Sequence, residues 1–291
     1  MKISKIKNFN TFRFFNYKWK KVPSWGSVTG EQYTRWYLKR YGFKNNKIFK
    51  KFLQNKKIIL DAGCGLARDS IYFSKLSNNA KVFGVDQSQF VINHNKKKYS
   101  NYNNLHFYQK DITKNLNFKK KFNFISCDQV IHHTPNIMKT IKNLLANLNK
   151  GGSLFFFVCK KKNYFRDLID DHIMDSFKNK SPDKLWKFAE IVTKFGKAIY
   201  DLNIKEISAK NKIYKNLQEI VHYHLFRCWY NPKIPFNLSV SSNYDWFSNN
   251  PRYSLDEIKL ILNKLKKKYK TLKVQRIYSD DASISVKLLL K

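Results

Sequence analysis

Residues 57–69 read KIILDAGCGLARD, and this stretch decides how the rest of the chain is interpreted. The apolar run Ile58–Leu60 predicts a short buried strand that ends at Asp61. A glycine turn from Gly63 to Gly65 follows and leads into a segment with helical character. Glycines let a ligand approach the backbone closely, and the first turn of a helix presents unpaired N–H groups. The stretch therefore predicts a nucleotide-binding turn between a strand and a helix.

The composition is that of a folded protein without a membrane span. The chain has 291 residues, of which 43% are hydrophobic and 16% aromatic, so it can bury a substantial core. It contains no run of 18 uncharged apolar residues, and its N-terminus lacks the apolar segment of a secretory signal. We expect a cytoplasmic protein with no integral membrane segment; the alternative is an organelle transit peptide, which is also basic and poor in acids. The four cysteines form no CxxC pair, which favours reduced thiols over a disulfide framework or a metal site.

The formal net charge is +37, from 57 Lys and Arg against 20 Asp and Glu. Such an excess predicts an anionic partner: a nucleic acid, an acidic membrane surface or a phosphorylated substrate. The alternative is compositional drift, because Lys greatly outnumbers Arg, and Asn, Ile, Phe and Tyr, which also have AT-rich codons, are abundant. The lysines are spread over the whole chain rather than gathered in one stripe, which favours drift somewhat over a specific nucleic-acid role.

From Ile58 onward, strand patterns alternate with helix patterns. Strands are predicted at 58–61, 81–86, 105–109, 122–127 and 153–159, with helices at 67–76, 89–98 and 137–148. This alternation implies a parallel sheet with right-handed crossovers. A later helix at 255–268, opened by the capping-box pair Ser254 and Glu257, precedes two strands at 272–278 and 284–290. The predicted fold class is α/β: a doubly wound, Rossmann-like, seven-stranded sheet, mostly parallel with a terminal antiparallel hairpin.

Four regions follow from these patterns. Residues 1–56 form a basic and aromatic arm with helices, and the first 28 of them lack a clean period and predict an irregular arm. Residues 57–159 form the nucleotide-binding core, and residues 252–291 complete it. Residues 160–251 are too many for a connecting loop, so they predict an inserted, mainly helical lid that binds a second substrate.

Acidic residues follow three of the predicted strands at their carboxyl ends, where ligands bind in an open parallel sheet. Asp86 ends the second strand, where a carboxylate can accept hydrogen bonds from a ribose diol. Asp111 and Ile112 follow the third strand, and an acid beside an apolar side chain suits an adenine ring. Asp128 and Gln129 follow the fourth. One such acid alone could cap a helix or end a loop, but three in this order predict an adenosine-containing cofactor.

These segments together resemble the class I S-adenosylmethionine-dependent methyltransferases, most closely the methyltransferase type 11 group of ubiquinone- and menaquinone-biosynthesis-type enzymes. The matching pieces are ILDAGCGLARD, VFGVDQS, YQKDIT, FISCDQVIHHTPN and LNKGGSLFFF, which cover Ile58 to Val158 in the family's order. The departure is Ala67, where the family often has a third glycine.

The resemblance implies S-adenosylmethionine (SAM) as the cofactor and a role for each matching residue. Asp61, Gly63 and Gly65 would lie along the methionine and ribose parts. Asp86, with Gln87 beside it, would hold the ribose hydroxyls. Asp111 and Ile112 would frame the adenine, and Asp128 and Gln129 would border the sulfonium.

Methyl transfer is an in-line displacement that can need a general base, and histidine is the usual side chain for that work. His133 and His132 follow the fourth strand and are the candidates; alternatively, one of them packs against or caps the next helix. Candidate substrate residues are His222, His224, Tyr230 and Arg252, and the alternative for the first three is an ordinary aromatic lid core. We predict no metal site there, because positions two apart on a helix do not share a face.

The predicted function is transfer of a methyl group from SAM to a small-molecule or glycosylated metabolite. The segments FNYKWKK and YDWFSNNPRYSLDEI also resemble bacterial methyltransferases found beside sugar pathways. The alternative is an RNA or other nucleic-acid methyltransferase that uses the basic surface. It lacks the Asn/Asp-Pro-Pro-Tyr/Phe motif of base N-methylation, since the fourth strand ends in CDQVIH, and it lacks a catalytic cysteine in a Pro-Cys context. A non-catalytic scaffold is a third reading, against which the intact cofactor acids argue.

Overall fold

The structure is a computed structural model that describes residues 11–23, 30–77, 79–202, 207–209, 212–248 and 250–291. The described residues form two compact units. The core unit contains those within 23–160 and 251–291, and the insertion unit contains those within 1–22 and 161–250.

The helices and strands have the following bounds. In chain order they are α1 (Thr11–Lys21), α2 (Gly30–Tyr41), α3 (Asn46–Gln54), β1 (Ile58–Ala62), α4 (Arg68–Leu76), β2 (Lys81–Asp86), α5 (Gln89–Lys98), β3 (Leu105–Gln109), β4 (Phe122–Cys127), α6 (Ile137–Ala146), β5 (Leu148–Lys160), α7 (Tyr164–Phe177), α8 (Pro182–Asp201), β6 (Ile207–Ala209), β7 (Lys212–Tyr214), α9 (Leu217–His224), α10 (Phe236–Phe247), β8 (Arg252–Tyr253), α11 (Leu255–Lys268), β9 (Leu272–Ser279) and β10 (Ser283–Leu290). A short 3-10 helix, Ile131–His133, follows β4.

The core unit is built on one sheet. Its strand order in the described residues is β3-β2-β1-β4-β5-β10-β9, and β8 pairs with the end of β5. The strands from β3 to β5 run parallel, whereas β10 pairs antiparallel with both β5 and β9. The predicted fold class is therefore confirmed, and the two-residue strand β8 makes the sheet eight-stranded where seven strands were expected.

Both faces of this sheet are covered by apolar side chains. On β1, Ile59 joins one buried cluster and Leu60 joins the other, as the period of two in a strand requires. On β5, Phe155 joins the same cluster as Ile59, and Phe156 joins the same cluster as Leu60. Helices supply the matching residues on each side, for example Ile141 of α6 on one face and Phe49 of α3 on the other. The sheet is thus the middle of three layers, which explains why β5 is apolar along most of its length.

The N-terminal region departs from the expectation. Residues 11–21 form the helix α1, where an irregular arm was predicted; residues 1–10 and 24–29 lie outside the described residues. The buried positions of α1 are Phe14 and Lys18, one helical turn apart. The helical period was hidden because one of these positions is a lysine, whose ammonium pairs with Asp245. Moreover, α1 belongs to the insertion unit, so the region 1–56 is not one structural piece.

The insertion unit is mainly helical. Its longest helix, α8, starts at Pro182 after the N-cap Ser181. The helices α7 and α10 were not predicted; α10 begins directly after Pro235. A proline is tolerated at the start of a helix, where its missing N–H would have no partner. Among the described residues, no helix has both the length and the apolar character that a bilayer span requires.

Candidate functional site

The predicted cofactor residues meet at one edge of the core sheet. In the pairing register, Asp61 of β1 lies beside Gly84 of β2 and Ser126 of β4. Asp86 at the end of β2 lies beside Gln109 at the end of β3. The residues that follow these strands therefore share the carboxyl edge of four neighbouring strands; they are Gly63, Gly65, Gln87, Asp111, Ile112, Asp128 and Gln129. This edge flanks the β1–β4 neighbourhood where the strand order reverses.

The turn after β1 depends on left-handed backbone angles. Gly63 has φ +83°, and a Cβ atom there would lie 2.4 Å from a methyl carbon of Val130. The amides of Gly63 and Cys64 both donate to the carbonyl of Val85 at 2.8 Å, which ties the turn to β2. Ala67, at the start of α4, has φ +63°. A left-handed position at Ala67 gives a physical reason for the glycine that the family often has there.

Asp86 holds the glycine turn in place. Its Oδ2 accepts a hydrogen bond from the amide of Gly65 at 3.0 Å, and its Oδ1 accepts one from the amide of Ser88 at 2.9 Å. Burial raises the pKa of the Asp86 carboxyl, and these backbone N–H groups act in the opposite direction. Gln87 adds a third backbone N–H contact, and since a carboxylate offers about four lone-pair positions, Asp86 retains capacity for a further donor such as a ribose hydroxyl.

Asp111 and Ile112 shape the loop after β3. The Oδ1 atom of Asp111 accepts hydrogen bonds from the amide and the hydroxyl of Thr113, at 2.9 and 2.7 Å. Lys114 Nζ lies 3.9 Å from the other carboxylate oxygen. Ile112 is 7% exposed and packs in the core, and its carbonyl accepts from Asn143 at 2.8 Å. The loop is thus fixed at both residues, and the Oδ2 side of Asp111 carries the weaker of its contacts.

Asp61 lies at the end of β1 in an unusual electrostatic setting. It is 3% exposed and accepts a hydrogen bond from Ser70 Oγ at 2.6 Å. Burial, followed by the neighbouring carboxylate of Asp69, raises the pKa of Asp61 to about 8. Asp69 in turn pairs with Arg68 at 3.1 Å. Without a cationic ligand, Asp61 therefore holds a proton over much of the neutral range.

The carboxylate of Asp128 is bound by side chains of helix α2. Its side chain is fully buried, and its Oδ2 pairs with Arg40 Nη2 at 2.9 Å. The hydroxyl of Tyr41 donates to Oδ1 at 2.6 Å, and the hydroxyl of Tyr33 also donates to this carboxylate. Burial alone would raise the pKa of Asp128, but the Arg40 guanidinium and the two hydroxyls hold it below its ordinary value. The adjacent Gln129 has φ +58°, and its Nε2 donates to the Tyr33 hydroxyl at 2.9 Å.

Sequence reasoning missed the residues of α2 that reach this edge. Arg40 is completely buried, and its Cζ atom lies 3.5 Å from the ring centroid of Trp36 and 4.8 Å from that of Phe157. Tyr33 stacks under the guanidinium of Arg68, which starts α4. A signal was present in the sequence, since Tyr33, Tyr37 and Tyr41 recur at helical spacing and mark one face of EQYTRWYLKRY.

The two histidines after β4 differ in exposure. His132 is 2% exposed; its Nδ1 lies 3.4 Å from the carbonyl oxygen of Phe157, and its Nε2 lies 3.6 Å from Cys159 Sγ. Burial, and then the proximity of His133, lower the pKa of His132 well below its ordinary value, so this ring is neutral at pH 7. His133 is half-buried, and its ring centroid lies 4.0 Å from that of His132.

The predicted substrate residues differ in exposure and in the unit to which they belong. His222 is buried, whereas His224, two positions later on α9, is exposed and shares a hydrogen bond with the Tyr214 hydroxyl. Tyr230 is half-buried and packs edge-on against Tyr200, with ring centroids 5.6 Å apart. Arg252 lies in β8 of the core unit, paired in register with Cys159. In the described parts of the chain, no three His, Cys, Asp or Glu side chains are grouped so that they could hold a metal ion.

Comparison with known proteins gives the family. A family model described as "Methyltransferase domain" matches residues 53–224. The chain is 35% identical over 105 residues to a ubiquinone biosynthesis O-methyltransferase of Coxiella burnetii, a match that spans 34% of this chain and 42% of the relative. It is 29% identical over 107 residues to malonyl-[acyl-carrier protein] O-methyltransferase 1 of Ilyobacter polytropus, spanning 37% of this chain and 40% of the relative. The matches thus span less than half of the length of these curated relatives.

A solved structure extends the likeness to the fold of nearly the whole chain. The plantazolicin methyltransferase BamL, crystallised with a triazolic desmethylPZN analogue and SAH, superposes with a TM-score of 0.54 at 10% identity. The superposition covers 97% of this chain and 94% of that one. At this identity the likeness concerns the fold alone. The family model covers more than half of the residues, and the predicted family is confirmed: the chain belongs to the methyltransferase domain family, as a class I SAM-dependent methyltransferase.

Proposed function

We propose that the protein transfers the methyl group of SAM to an oxygen atom of a small organic acceptor. The observation that carries the cofactor half of this proposal is Asp86. This carboxylate ends β2, accepts the Gly65 amide at 3.0 Å and still has a lone pair for a ribose hydroxyl. The O-methyl assignment rests on the names of the two curated relatives, both of which are O-methyltransferases.

The residues at the strand ends fit the cofactor. Gly63 and Gly65 have no side chains to shield the backbone near Asp61, so the methionine and ribose parts of SAM could bind close to the main chain. Asp86 and Gln87 would hold the ribose, and Asp111 with Ile112 would frame the adenine. Gln129 would border the sulfonium. Asp128, whose carboxylate is occupied by α2, would act there through the position of Gln129 and Tyr33 rather than by direct contact.

The chemistry divides between positioning and proton removal. Bound SAM supplies an electrophilic methyl group, and the protein must align the acceptor oxygen with it and exclude water. We assign the general base to His133, because His132 is buried with both ring nitrogens facing Phe157 and Cys159. His133→Asn should remove the acidic limb of the pH–rate profile, where protonation inactivates the base, or lower kcat by about 10²–10⁴-fold, while SAM affinity is unchanged. An unaltered profile and rate would assign the proton to another group.

The acceptor would be bound by the insertion unit. Its residues 161–250 interrupt the alternating core, and the predicted substrate residues His222, His224 and Tyr230 lie in it. A small-molecule or glycosylated acceptor would suit a mainly helical unit of this size. Arg252 belongs to the core unit, and its role toward the substrate stays a prediction.

The test of the cofactor assignment is calorimetric titration of SAM into three proteins. Asp111→Asn keeps an oxygen for the Thr113 bonds but turns the other oxygen into an N–H₂ group, which cannot accept from the adenine amine. We expect this variant to lose roughly tenfold or more in affinity, because an unpaired buried polar group costs about 1–3 kcal/mol. Cys64→Ala, the control in the turn after β1, should bind normally. Equal affinities for both variants would refute the adenine assignment, and no affinity in the wild type would refute the function.

A nucleic-acid acceptor is the second candidate, and the net charge of +37 favours it. Methyl transfer from labelled SAM to RNA, with affinity that falls steeply as salt rises, would establish it. Transfer to a small-molecule fraction with no such salt dependence would establish the first candidate.

A further inference from the structure

Three cationic side chains of the insertion unit surround one buried indole. Lys162 Nζ lies 5.8 Å, Arg166 Cζ 5.4 Å and Arg227 Cζ 5.1 Å from a ring centroid of Trp246, which is 7% exposed. Lys162 and Arg166 flank the start of α7, Arg227 follows α9, and Trp246 lies near the end of α10. The fold therefore brings positive charge from separate segments to one place.

Three carboxylates lie among these cations. Asp170 is fully buried and accepts from Arg166 Nε at 2.5 Å, Trp246 Nε1 at 2.6 Å and the Arg227 amide at 3.1 Å. Asp245, the neighbour of Trp246, pairs with Lys18. Asp167 accepts the Lys162 amide at 3.0 Å. The group thus contains four cations, Lys18, Lys162, Arg166 and Arg227, and three carboxylates, Asp167, Asp170 and Asp245.

His222 lies within the field of these cations. It is 8% exposed, and its Nδ1 atom has no hydrogen-bond partner among the described residues. Burial, and then the charges of Arg227, Arg166 and Lys162, lower the pKa of His222 well below its ordinary value. The ring is therefore neutral at pH 7, with one N–H to donate. A buried polar atom without a partner costs about 1–3 kcal/mol and calls for an explanation, of which a role in binding is one.

We propose that Lys162, Arg227 and His222 bind an oxyanion, a carboxylate or phosphate group of the methyl acceptor. The proposal rests on the methyltransferase function above and names a chemical class for its substrate. Lys162 and Arg227 are half-buried, so they can meet a ligand from solvent. Their charged hydrogen bonds to an oxyanion are roughly twice as strong as neutral ones, and the imidazole N–H supplies a further donor. Arg166, which is buried and paired with Asp170, is the third cation beside this site.

The competing explanation is that the cations merely hold the insertion unit together. Arg166 fits this reading, since its side chain is 1% exposed and bound to a buried acid. Arg227 fits it in part, because its Nε donates to Asn243 at 3.0 Å and its Nη2 to Ser242 Oγ at 2.5 Å. A purely structural network does not require the Nδ1 atom of His222 to lack a hydrogen-bond partner among the described residues. The two readings therefore separate at His222.

The experiment is a titration of the full chain, without SAM, with inorganic phosphate and separately with benzoate. The ring signals of His222 are followed by NMR and identified by their absence in His222→Asn. We expect saturable shifts at millimolar concentrations, with a loss of affinity of roughly tenfold or more in Lys162→Met. This variant changes a half-buried side chain and should fold, and Arg227→Lys, which keeps the charge, should lose less. The matched control is Lys184→Met, which removes an exposed lysine of α8 and should bind like wild type.

Each outcome supports or refutes either the oxyanion site or the methyltransferase function. Preference for phosphate or for benzoate identifies which oxyanion the acceptor carries, and either one supports the proposal. Shifts that grow linearly and are matched by sodium chloride at equal ionic strength would overturn it, as would equal affinity in Lys162→Met and wild type. Anion binding in a protein that binds no SAM would leave this site standing and refute the methyltransferase function. SAM binding and turnover without anion binding would do the reverse.

Discussion

Gly63 shows how a single backbone angle fixes the site at the residue scale. Its φ of +83° is open to glycine and costly for other residues, and Val130 fills the space where a Cβ atom would lie. Val130 follows Gln129, so the same contact sets the distance between the turn after β1 and the loop after β4. The glycine is therefore required twice, by its own conformation and by its neighbour.

Gly63→Ala should lower the free energy of unfolding by about 2–5 kcal/mol, which combines a left-handed penalty of about 1–2 and an overpacking penalty of about 1–3 kcal/mol. Gly151→Ala is the matched control, because Gly151 has φ +77° but a Cβ atom added there would meet none of the described residues within 4 Å. It should show the backbone penalty alone. Val130→Ala in the Gly63→Ala background should restore part of the loss. Chemical denaturation measures all three, and equal losses at Gly63 and Gly151 would show that the Val130 contact does not matter.

Asp61 carries a prediction for pH. The pKa of its carboxyl is about 8, raised by burial and by Asp69, and Asp128 and Arg68 also act on it. A cationic ligand beside it favours the ionised form, so binding lowers that pKa and releases a proton. SAM affinity should therefore rise with pH through the neutral range, by at most about tenfold per unit, and level off above about pH 8. Calorimetry in two buffers of different ionisation enthalpy counts the protons released.

The control for this pH dependence is Asp61→Asn. The ammonium group of SAM titrates near about pH 8 as well, but its contribution persists in the variant. Subtraction of the two profiles isolates the carboxyl. A wild-type profile that parallels the variant would place the sulfonium and the ammonium away from Asp61.

At the scale of elements, helix α2 is fastened to the end of β4 through one carboxylate. Arg40, Tyr33 and Tyr41 all direct donors at Asp128, and the ion pair is fully shielded from water. A buried charge pair of this kind contributes little relative to apolar packing, but loss of one partner leaves an uncompensated charge. The pair therefore specifies where α2 sits, next to the residues proposed to border the cofactor.

Arg40→Met should cost about 3–5 kcal/mol in unfolding free energy at pH 7, because Asp128 then stays buried without its cation. Since the folded-state pKa of Asp128 is held below its ordinary value, the pair contributes stability above about pH 4 and loses it as the pH falls further. The penalty of Arg40→Met should shrink in acid for this reason. Asp128→Asn combined with Arg40→Met should be less harmful than Arg40→Met alone. A double variant that is no better than the single one would mean that the ion pair does not position α2.

The sequence predicted those elements whose signal is local. The bounds of β2, β3, β4 and α11 match the observed ones, because an apolar run or a capping box is contained within each segment. The carboxyl-edge residues followed from the same pattern, since parallel strands share that edge. The helical spacing of Tyr33 and Tyr41 marks a face of α2, but the pairing of Arg40 with Asp128 could not be found in this way, because the two residues lie 88 positions apart and a salt bridge over such a distance leaves no periodic trace. In α1 the helical period was also not recognised, because one of its two buried positions is a lysine.

At the scale of the molecule, the chain crosses between its two units more than once. The insertion unit consists of the segment that contains α1 and of residues 161–250, and residues 23–160 of the core unit lie between these two segments in the sequence. Tyr244 donates to the carbonyl of Phe14 at 3.0 Å across 230 residues of sequence, and Tyr17 donates to Asp183 at 3.0 Å. These hydrogen bonds join α1 to α10 and to α8. The insertion unit is therefore expected to depend on α1 for its stability.

Phe14→Ala tests this dependence. Phe14 is 1% exposed and its ring lies 6.2 Å from that of Tyr244, so its loss should destabilise the insertion unit by about 3–5 kcal/mol. Hydrogen exchange should then accelerate in α8 and α10, while β1 to β5 stay protected because their core lies in the other unit. Phe12→Ala, the control on the same helix, removes a ring that is 39% exposed and should leave exchange unchanged. Uniform acceleration in both units would show that they unfold together, and no change in α8 would show that α1 is dispensable to the insertion unit.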